Sequence, residues 1–391
     1  MRALASPHPP VADERRRDVG AQEPPDTSSD ARLMRRALQL AERGLGRVSP
    51  NPLVGAILVR DGEIVGEGWH GGPGTPHAEA HALEAAGARA RGSTLYVTLE
   101  PCSHRGRTPP CAPALAEAGV ARVVAAVQDP NPLVDGAGIA LLREAGVVVD
   151  VGLLSAMAEE LNLAFFHHVR TGLPHLTLKM AASLDGKAAA RDGSSRWISG
   201  EASRRRVHEM RAAADAIMVG AGTALRDDPS LTCRAPGYSG PPKLRVLVDG
   251  RGIVPATHTL FDGAAPTLVA TSASVDPELA DAWRRTAEVS VYDSPGGLVP
   301  LEALMKDLAA RDVQSVLLEG GPTLAEEAVR AGIVDRVTFF YAPILVGGAG
   351  APGVLMGEGV PTIADALRLE GVRFERSGDD LVVSGDVHRH R

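Results

Sequence analysis

Aromatic side chains are scarce. Phe, Trp and Tyr together make up 3% of the 391 residues, so the core has to be built from Ala, Val, Leu and Ile, and platforms for stacking nucleic-acid bases are few. Positive charge is also short: 41 Lys and Arg stand against 48 Asp and Glu, a net charge of −7 with a pI near 6.0. That balance argues against a nucleic-acid binder, which would show a basic stripe. No apolar run approaches the roughly 18 residues that a membrane-spanning helix needs. Three cysteines are too few for a disulfide framework. The first residues carry no apolar core of a signal peptide, and with so little cysteine the expected compartment is the cytoplasm.

The remaining composition is ordinary for a globular chain, 44% apolar and 23% charged, and the length suggests two or three domains. Residues 1–29, rich in Pro, charge and small polar groups, read as a disordered tail. Asp30 then stands as an N-cap before Leu33, Ala37, Leu38, Ala41 and Leu45 at helical spacing. Asp61-Gly62 between two apolar runs predicts a hairpin. From there helix and strand patterns alternate to AMAEELNLAFFHHVR, which reads as one closing helix. Gly172 and Pro174 break the chain at 171–174, and a second alternating series follows. The predicted organisation is a tail over 1–29, an α/β domain over 30–171 and a second α/β domain over 172–391.

The cysteines carry the first chemical signal. His77-Ala78-Glu79, Pro101-Cys102 and Pro110-Cys111 bring together the imidazole and thiolate ligands that zinc prefers. Three ligands rather than four describe a catalytic site with one position left for water. His77 and Cys111 each open a predicted helix, where free N–H groups and the helix dipole favour anions. Glu79, two residues past the His, is the candidate to shuttle the proton of the activated water. The zinc-deaminase signature H-x-E…P-C-x-x-C is matched in its first half only, because eight residues separate Cys102 from Cys111. His81 and His104 are spare ligands that would turn the site into a closed, structural one. Cys233, beyond the domain seam, has no partner and reads as inert.

Two G-x-G-x-x-G matches, at 66–71 and 348–353, open no helix inside a βαβ unit and are not dinucleotide fingerprints. A better phosphate cradle is the strand ending at Glu319, the Gly320-Gly321 turn and Pro322 at the first position of a helix.

The stretches VTLEPCSHRGRTPPC, SPNPLVG and QDPNP resemble the bifunctional riboflavin-biosynthesis deaminase–reductases of RibD type, a family with the long cysteine spacing. KMAASLDGKAAARDGSSRWISG, MVGAGTALRDDPSLTCR and LLEGGPTLAEE resemble its reductase half. The resemblance runs over about residues 31–391 and implies a three-layer cytidine-deaminase-like domain followed by a dihydrofolate-reductase-like domain. It implies zinc-dependent hydrolytic deamination of a phosphoribosylamino-pyrimidinone, then NADPH-dependent reduction of the ribosyl group, in a homodimer or higher homo-oligomer. By matched position, Asn51 and Arg107 would meet the deaminase substrate. Ala181, Trp197, Thr223, Asp227, Gly321, Pro322, Thr323 and Leu324 would meet NADPH. Ser195, Arg211, Leu231, Arg234 and Glu319 would meet the reductase substrate, with Lys179, Asp227 and Glu319 nearest the reacting carbon. Arg211 and Arg234 suit a 5′-phosphate held bidentately. The competing reading is a nucleobase or nucleic-acid zinc deaminase with an unrelated second domain, which the negative charge and the scarcity of aromatics oppose.

Overall fold

The structure, a computed structural model, describes residues 28–104, 109–132 and 134–388. Helix α1 (Ser29–Ala41) starts two residues earlier than expected, because Ser28 rather than Asp30 is the cap: its hydroxyl accepts from the Ala31 N–H at 3.1 Å. Asp30 instead accepts from the Tyr96 hydroxyl at 2.7 Å and from Arg122 at 2.9 Å, tying α1 to the sheet. Strands β1 (Gly55–Arg60) and β2 (Glu63–Trp69) form the expected hairpin. Asp61 and Gly62 both take the positive φ, 52° and 81°, of a two-residue hairpin turn.

Helix α2 (Ala78–Ala86), β3 (Thr94–Val97), α3 (Cys111–Glu117), β4 (Arg122–Ala125), α4 (Ala137–Glu144) and β5 (Val148–Val151) complete a sheet of order β2-β1-β3-β4-β5. Its last three strands run parallel. Helices α5 (Ser155–Leu161) and α6 (Leu163–Thr171) stand where one closing helix was expected. The break is at Asn162, whose carboxamide leaves the helical pattern to pair with the backbone of Leu53 at 2.7 and 2.9 Å.

The second α/β unit follows the Gly172 C-cap at φ 71°. It comprises β6 (His175–Ser183), α7 (Glu201–Ala213), β7 (Ala216–Gly220), α8 (Ala221–Asp227), β8 (Leu244–Val248), β9 (Thr267–Ser272), α9 (Pro277–Arg284) and β10 (Glu288–Tyr292). Helix α10 (Leu301–Ala309), β11 (Ser315–Leu318), α11 (Pro322–Arg330), β12 (Arg336–Ala342), β13 (Leu369–Ser377) and β14 (Asp380–Val387) end it. The nine-stranded sheet has the order β10-β9-β8-β7-β11-β6-β12-β14-β13 and is parallel up to β12, with an antiparallel C-terminal hairpin. Its core is aliphatic, as the shortage of aromatics requires, with Leu176, Leu178, Met218, Val246, Leu304 and Leu318 among the buried side chains. No helix among the described residues is long and apolar enough to cross a membrane.

Candidate active sites

Close packing of α2 on β2 positions the first site. A Cβ added at Gly66 or Gly68 would lie 2.1 Å from the carbonyl oxygen of Ala82 or Ala78. The first G-x-G-x-x-G match is thus a helix seat, and it sets the N-terminus of α2 over the sheet. His77 is the N-cap of that helix, Cys111 opens α3, and Cys102 lies on the loop leaving β3. Glu100 fixes that loop from the other side. Its buried carboxylate accepts from the N–H groups of Asp129, Gly136, Gly138 and Ile139 at 3.0–3.2 Å, stapling it to the first turn of α4.

The donor atoms of His77, Cys102 and Cys111 lie within 4.8 Å of one another. His77 Nδ1 is 3.6 Å from Cys102 Sγ and 3.3 Å from Cys111 Sγ, and the Cys111 N–H points at Cys102 Sγ from 3.4 Å. The hydrogen bond from Cys111, helped by His77, holds the Cys102 thiol well below its ordinary pKa, while the same contact and burial push Cys111 up. One imidazole nitrogen and two sulfurs converging on a point fit zinc with one open position. No other group of His, Cys, Asp and Glu converges in this way among the described residues. The spare ligands stand aside: His81 Nδ1 donates to the Trp69 carbonyl at 3.0 Å, and His104 is exposed and outside the cluster.

Glu79 is buried, 3% exposed, on the first turn of α2. Burial, with the Cys102 charge second, raises its pKa to about 7. It lines a cavity of about 630 Å³ together with Asn51, His70, His77, Cys102 and Asp129. Asn51 Nδ2 donates to His70 Nε2 at 2.9 Å, which leaves the His70 Nδ1–H facing the Pro76 carbonyl at 3.3 Å. Burial lowers the pKa of His70, so the neutral ring and the Asn51 amide fix each other's orientation. His70 and Asp129 are site residues that the sequence did not flag; burial pushes Asp129 up to about 6. Arg107 lies outside the described residues.

The second site is a cavity of about 690 Å³ at the carboxyl ends of β6, β7 and β11. Lys179, Ala181, Ser195, Trp197, Thr223, Asp227, Leu231, Arg234, Gly321 and Pro322 line it, with Arg211 and Glu319 at its base. Gly321 caps α11 with Pro322 in the first turn, as the phosphate cradle requires. A Cβ at Gly321 would lie 2.9 Å from Thr223 Oγ1, so glycine is what lets α8 meet that turn. Thr323 and Leu324 do not line the cavity: Thr323 is exposed, and Leu324 packs beneath Gly220 and Gly320. Trp197 is 70% exposed at the rim, with Arg204 4.7 Å over its ring.

Arg211 departs from the expected phosphate clamp. Its guanidinium fork is filled by Glu319 at 2.5 and 2.9 Å, and its remaining edge reaches the Thr232 carbonyl at 3.1 Å. Burial pushes the Glu319 carboxyl up, but the charges of Arg211 and Lys179 outweigh it and hold the pKa below its ordinary value. Burial lowers Lys179 against the pull of Glu319. Arg234 is exposed and hydrogen-bonds Ser230 and Thr232 within its own loop.

Residues 27–127 match the family described as the cytidine and deoxycytidylate deaminase zinc-binding region, and residues 174–383 match the RibD C-terminal domain. The chain is 45% identical over 369 residues to the riboflavin biosynthesis protein RibD of Bacillus amyloliquefaciens, covering 92% of this chain and 99% of that one. This chain belongs to the RibD family. The Escherichia coli RibD is 41% identical, with 90% of this chain and 98% of that protein covered. The solved Acinetobacter baumannii RibD superposes with a TM-score of 0.82 at 36% identity, over 92% of this chain and 99% of that one. A Thermotoga maritima structure, described as a diaminohydroxyphosphoribosylaminopyrimidine deaminase/5-amino-6-(5-phosphoribosylamino)uracil reductase, does so at 0.79 with the same identity and coverage. As a RibD-family member, the protein is a bifunctional enzyme of riboflavin biosynthesis with a zinc-type deaminase half and a reductase half. The match of the second half to the RibD reductase domain leaves a nucleobase deaminase with an unrelated partner domain without support.

Proposed function

We propose that the first site hydrolytically removes an amino group from 2,5-diamino-6-(5-phosphoribosylamino)pyrimidin-4-one, and that the second uses NADPH to reduce the ribosyl group of the product to a ribityl chain. The observation that carries this reading is the convergence of His77, Cys102 and Cys111 beside the buried carboxyl of Glu79 in one cavity. Zinc held by those three residues would supply the Lewis acid that acidifies a water molecule at neutral pH. Glu79 takes the proton from the attacking water and returns it to the leaving amino group. Zinc held by these ligands would also favour the carboxylate form of Glu79, the form that this first step needs. Asn51, oriented by His70, holds the base against Glu79.

In the second site the Gly320-Gly321 turn and the N-terminus of α11 offer N–H groups to the NADPH pyrophosphate. NADPH held there would supply hydride to the anomeric carbon of the ring-opened, imine form of the sugar, whose nitrogen takes a proton. Lys179 is the donor best placed for that proton, because burial has already weakened its hold on it. Glu319, kept ionised by Arg211, orients the substrate hydroxyls. The thiolates of the first site need a reducing compartment such as the cytoplasm. Association into a homodimer or larger assembly suits the edge strand β13, which exposes Leu369, Val372 and Phe374.

The test is to supply the pyrimidine with NADPH and follow ammonia release and NADPH loss together. Glu79→Gln should lower deamination by about 10³-fold and leave reduction of pre-deaminated substrate at the wild-type rate. A parallel fall in both activities would show that the two cavities are not separate sites.

A further inference from the structure

Part of the wall of the deaminase cavity comes from the other half of the chain. Asp312 and Gln314, between α10 and β11, line the same cavity as Asn51, His77 and Glu79. Gln314 is buried and its backbone is pinned on both sides: the N–H donates to Asp215 Oδ2 at 2.9 Å, and the carbonyl accepts from the His175 N–H at 2.8 Å. Its side chain crosses the seam, and Nε2 donates to the Pro50 carbonyl at 2.8 Å.

Pro50 immediately precedes Asn51. Two residues beyond Asn51, the same loop is held from its own domain by the Asn162 carboxamide, which pairs with both backbone groups of Leu53. The segment that presents Asn51 is therefore clamped by two carboxamides, one from each half. Gln314 is well built for the task. It stands immediately before β11, a strand paired on both sides in the middle of the sheet. The residue immediately after that strand is Glu319, in the reductase cavity. Five residues of extended chain, about 16 Å, thus join the two sites.

We propose that Gln314 is a positioning residue for deamination: by holding the Pro50 carbonyl it sets Asn51 against the pyrimidine, so the deaminase site is completed by the reductase domain. The proposal rests on the cavity around Glu79 being the deaminase site.

The test uses the full chain, loaded with zinc, carrying Gln314→Ala or Gln314→Glu. The second variant keeps the shape of the side chain but turns the donor into an acceptor that repels the Pro50 carbonyl. Both should lower kcat/KM for deamination by about tenfold, as expected for a small misplacement of a substrate-holding group. Most of the loss should appear in KM, and the constants for reduction of pre-deaminated substrate should stay at wild type. A lower Tm with unchanged deaminase KM would make Gln314 an interface residue only and overturn the proposal, as would an equal fall in both activities. Glu79→Gln is the control. If it leaves deamination intact, the cavity has been misassigned; if it abolishes deamination while both Gln314 variants behave as wild type, only the role of Gln314 is wrong.

Discussion

Two buried glutamates, one in each cavity, titrate in opposite directions. Among charged groups Glu79 has only the His77 imidazole to pull it down, and burial with the Cys102 charge outweighs that pull and lifts its pKa to about 7. Glu319, its side chain 10% exposed, faces Arg211 and Lys179, which hold it below the ordinary value. The same residue type is thus made into a proton carrier in one half and a fixed anion in the other. The chemistry fits: hydrolysis must move a proton on and off a carboxylate, whereas hydride transfer needs the substrate anchored and a separate donor. The sites also differ in their currency. The first uses His and Cys, whose types point to one chemistry; the second leans on Arg, Asp and Glu, which are common in this chain, and on one of its few lysines.

Removing the metal is the strongest way to break that comparison. Dialysis against a chelator should abolish deamination, a loss of at least about 10³-fold, while reduction of pre-deaminated substrate continues unchanged. Zinc should restore the lost activity. Full deaminase activity in protein shown by elemental analysis to be free of zinc would overturn the catalytic reading of His77, Cys102 and Cys111.

Arg211→Ala sharpens the contrast by making Glu319 resemble Glu79. With its fork partner gone, the carboxyl keeps Lys179 and the weaker pull of His208, and burial draws its pKa upward. Reduction should fall by about 10²-fold, and the acid limb of its pH–rate profile should move to higher pH, because the carboxylate would then form only at higher pH. Deamination should be untouched. An acid limb that stays in place would mean that the ionisation of Glu319 does not govern the step.

The two sites were unequally legible in the sequence for the same reason. His77, Glu79, Cys102 and Cys111 fall within 35 consecutive residues, their types point to one chemistry, and helix starts bring them together. Lys179, Arg211, Thr223 and Glu319 come from four separate elements, and each has an ordinary surface role to compete with; only the family resemblance groups them. His70 and Gln314 carried no signal because their partners, Asn51 and Pro50, are 19 and 264 residues away. In the fold, periodicity served until something local broke it. The closing helix splits where Asn162 turns to Leu53. Strand β13 loses its alternation at an irregularity between Glu370 and Arg373, where Gly371 takes φ 56°. A sequence cannot show that Glu319 fills the fork of Arg211, so from sequence alone that fork looks free for phosphate.

The smallest predicted effect lies at the seam, where the halves meet. His175 opens β6 and is buried, with its ring 5.4 Å from that of His167 on α6. Burial drives its pKa down to about 4; Asp335 and Glu160 pull upward, while His167 and Arg336 push with the burial. An unfolded His takes a proton near pH 6.5, whereas the folded one stays neutral until about pH 4. Above pH 6.5 neither state binds the proton and stability is unaffected. As the pH falls from 6.5 towards 4, only the unfolded state gains it, so stability declines by about 1.4 kcal/mol per pH unit. Between pH 7 and 5 that amounts to ~2 kcal/mol. Urea unfolding at the two pH values, with wild type against His175→Gln, isolates the term. The variant should lose less stability on acidification by about that amount, even though it starts from a lower value at pH 7. Equal losses in the two proteins would place the acid sensitivity of the seam elsewhere, with His167 and Asp335 the next groups to replace.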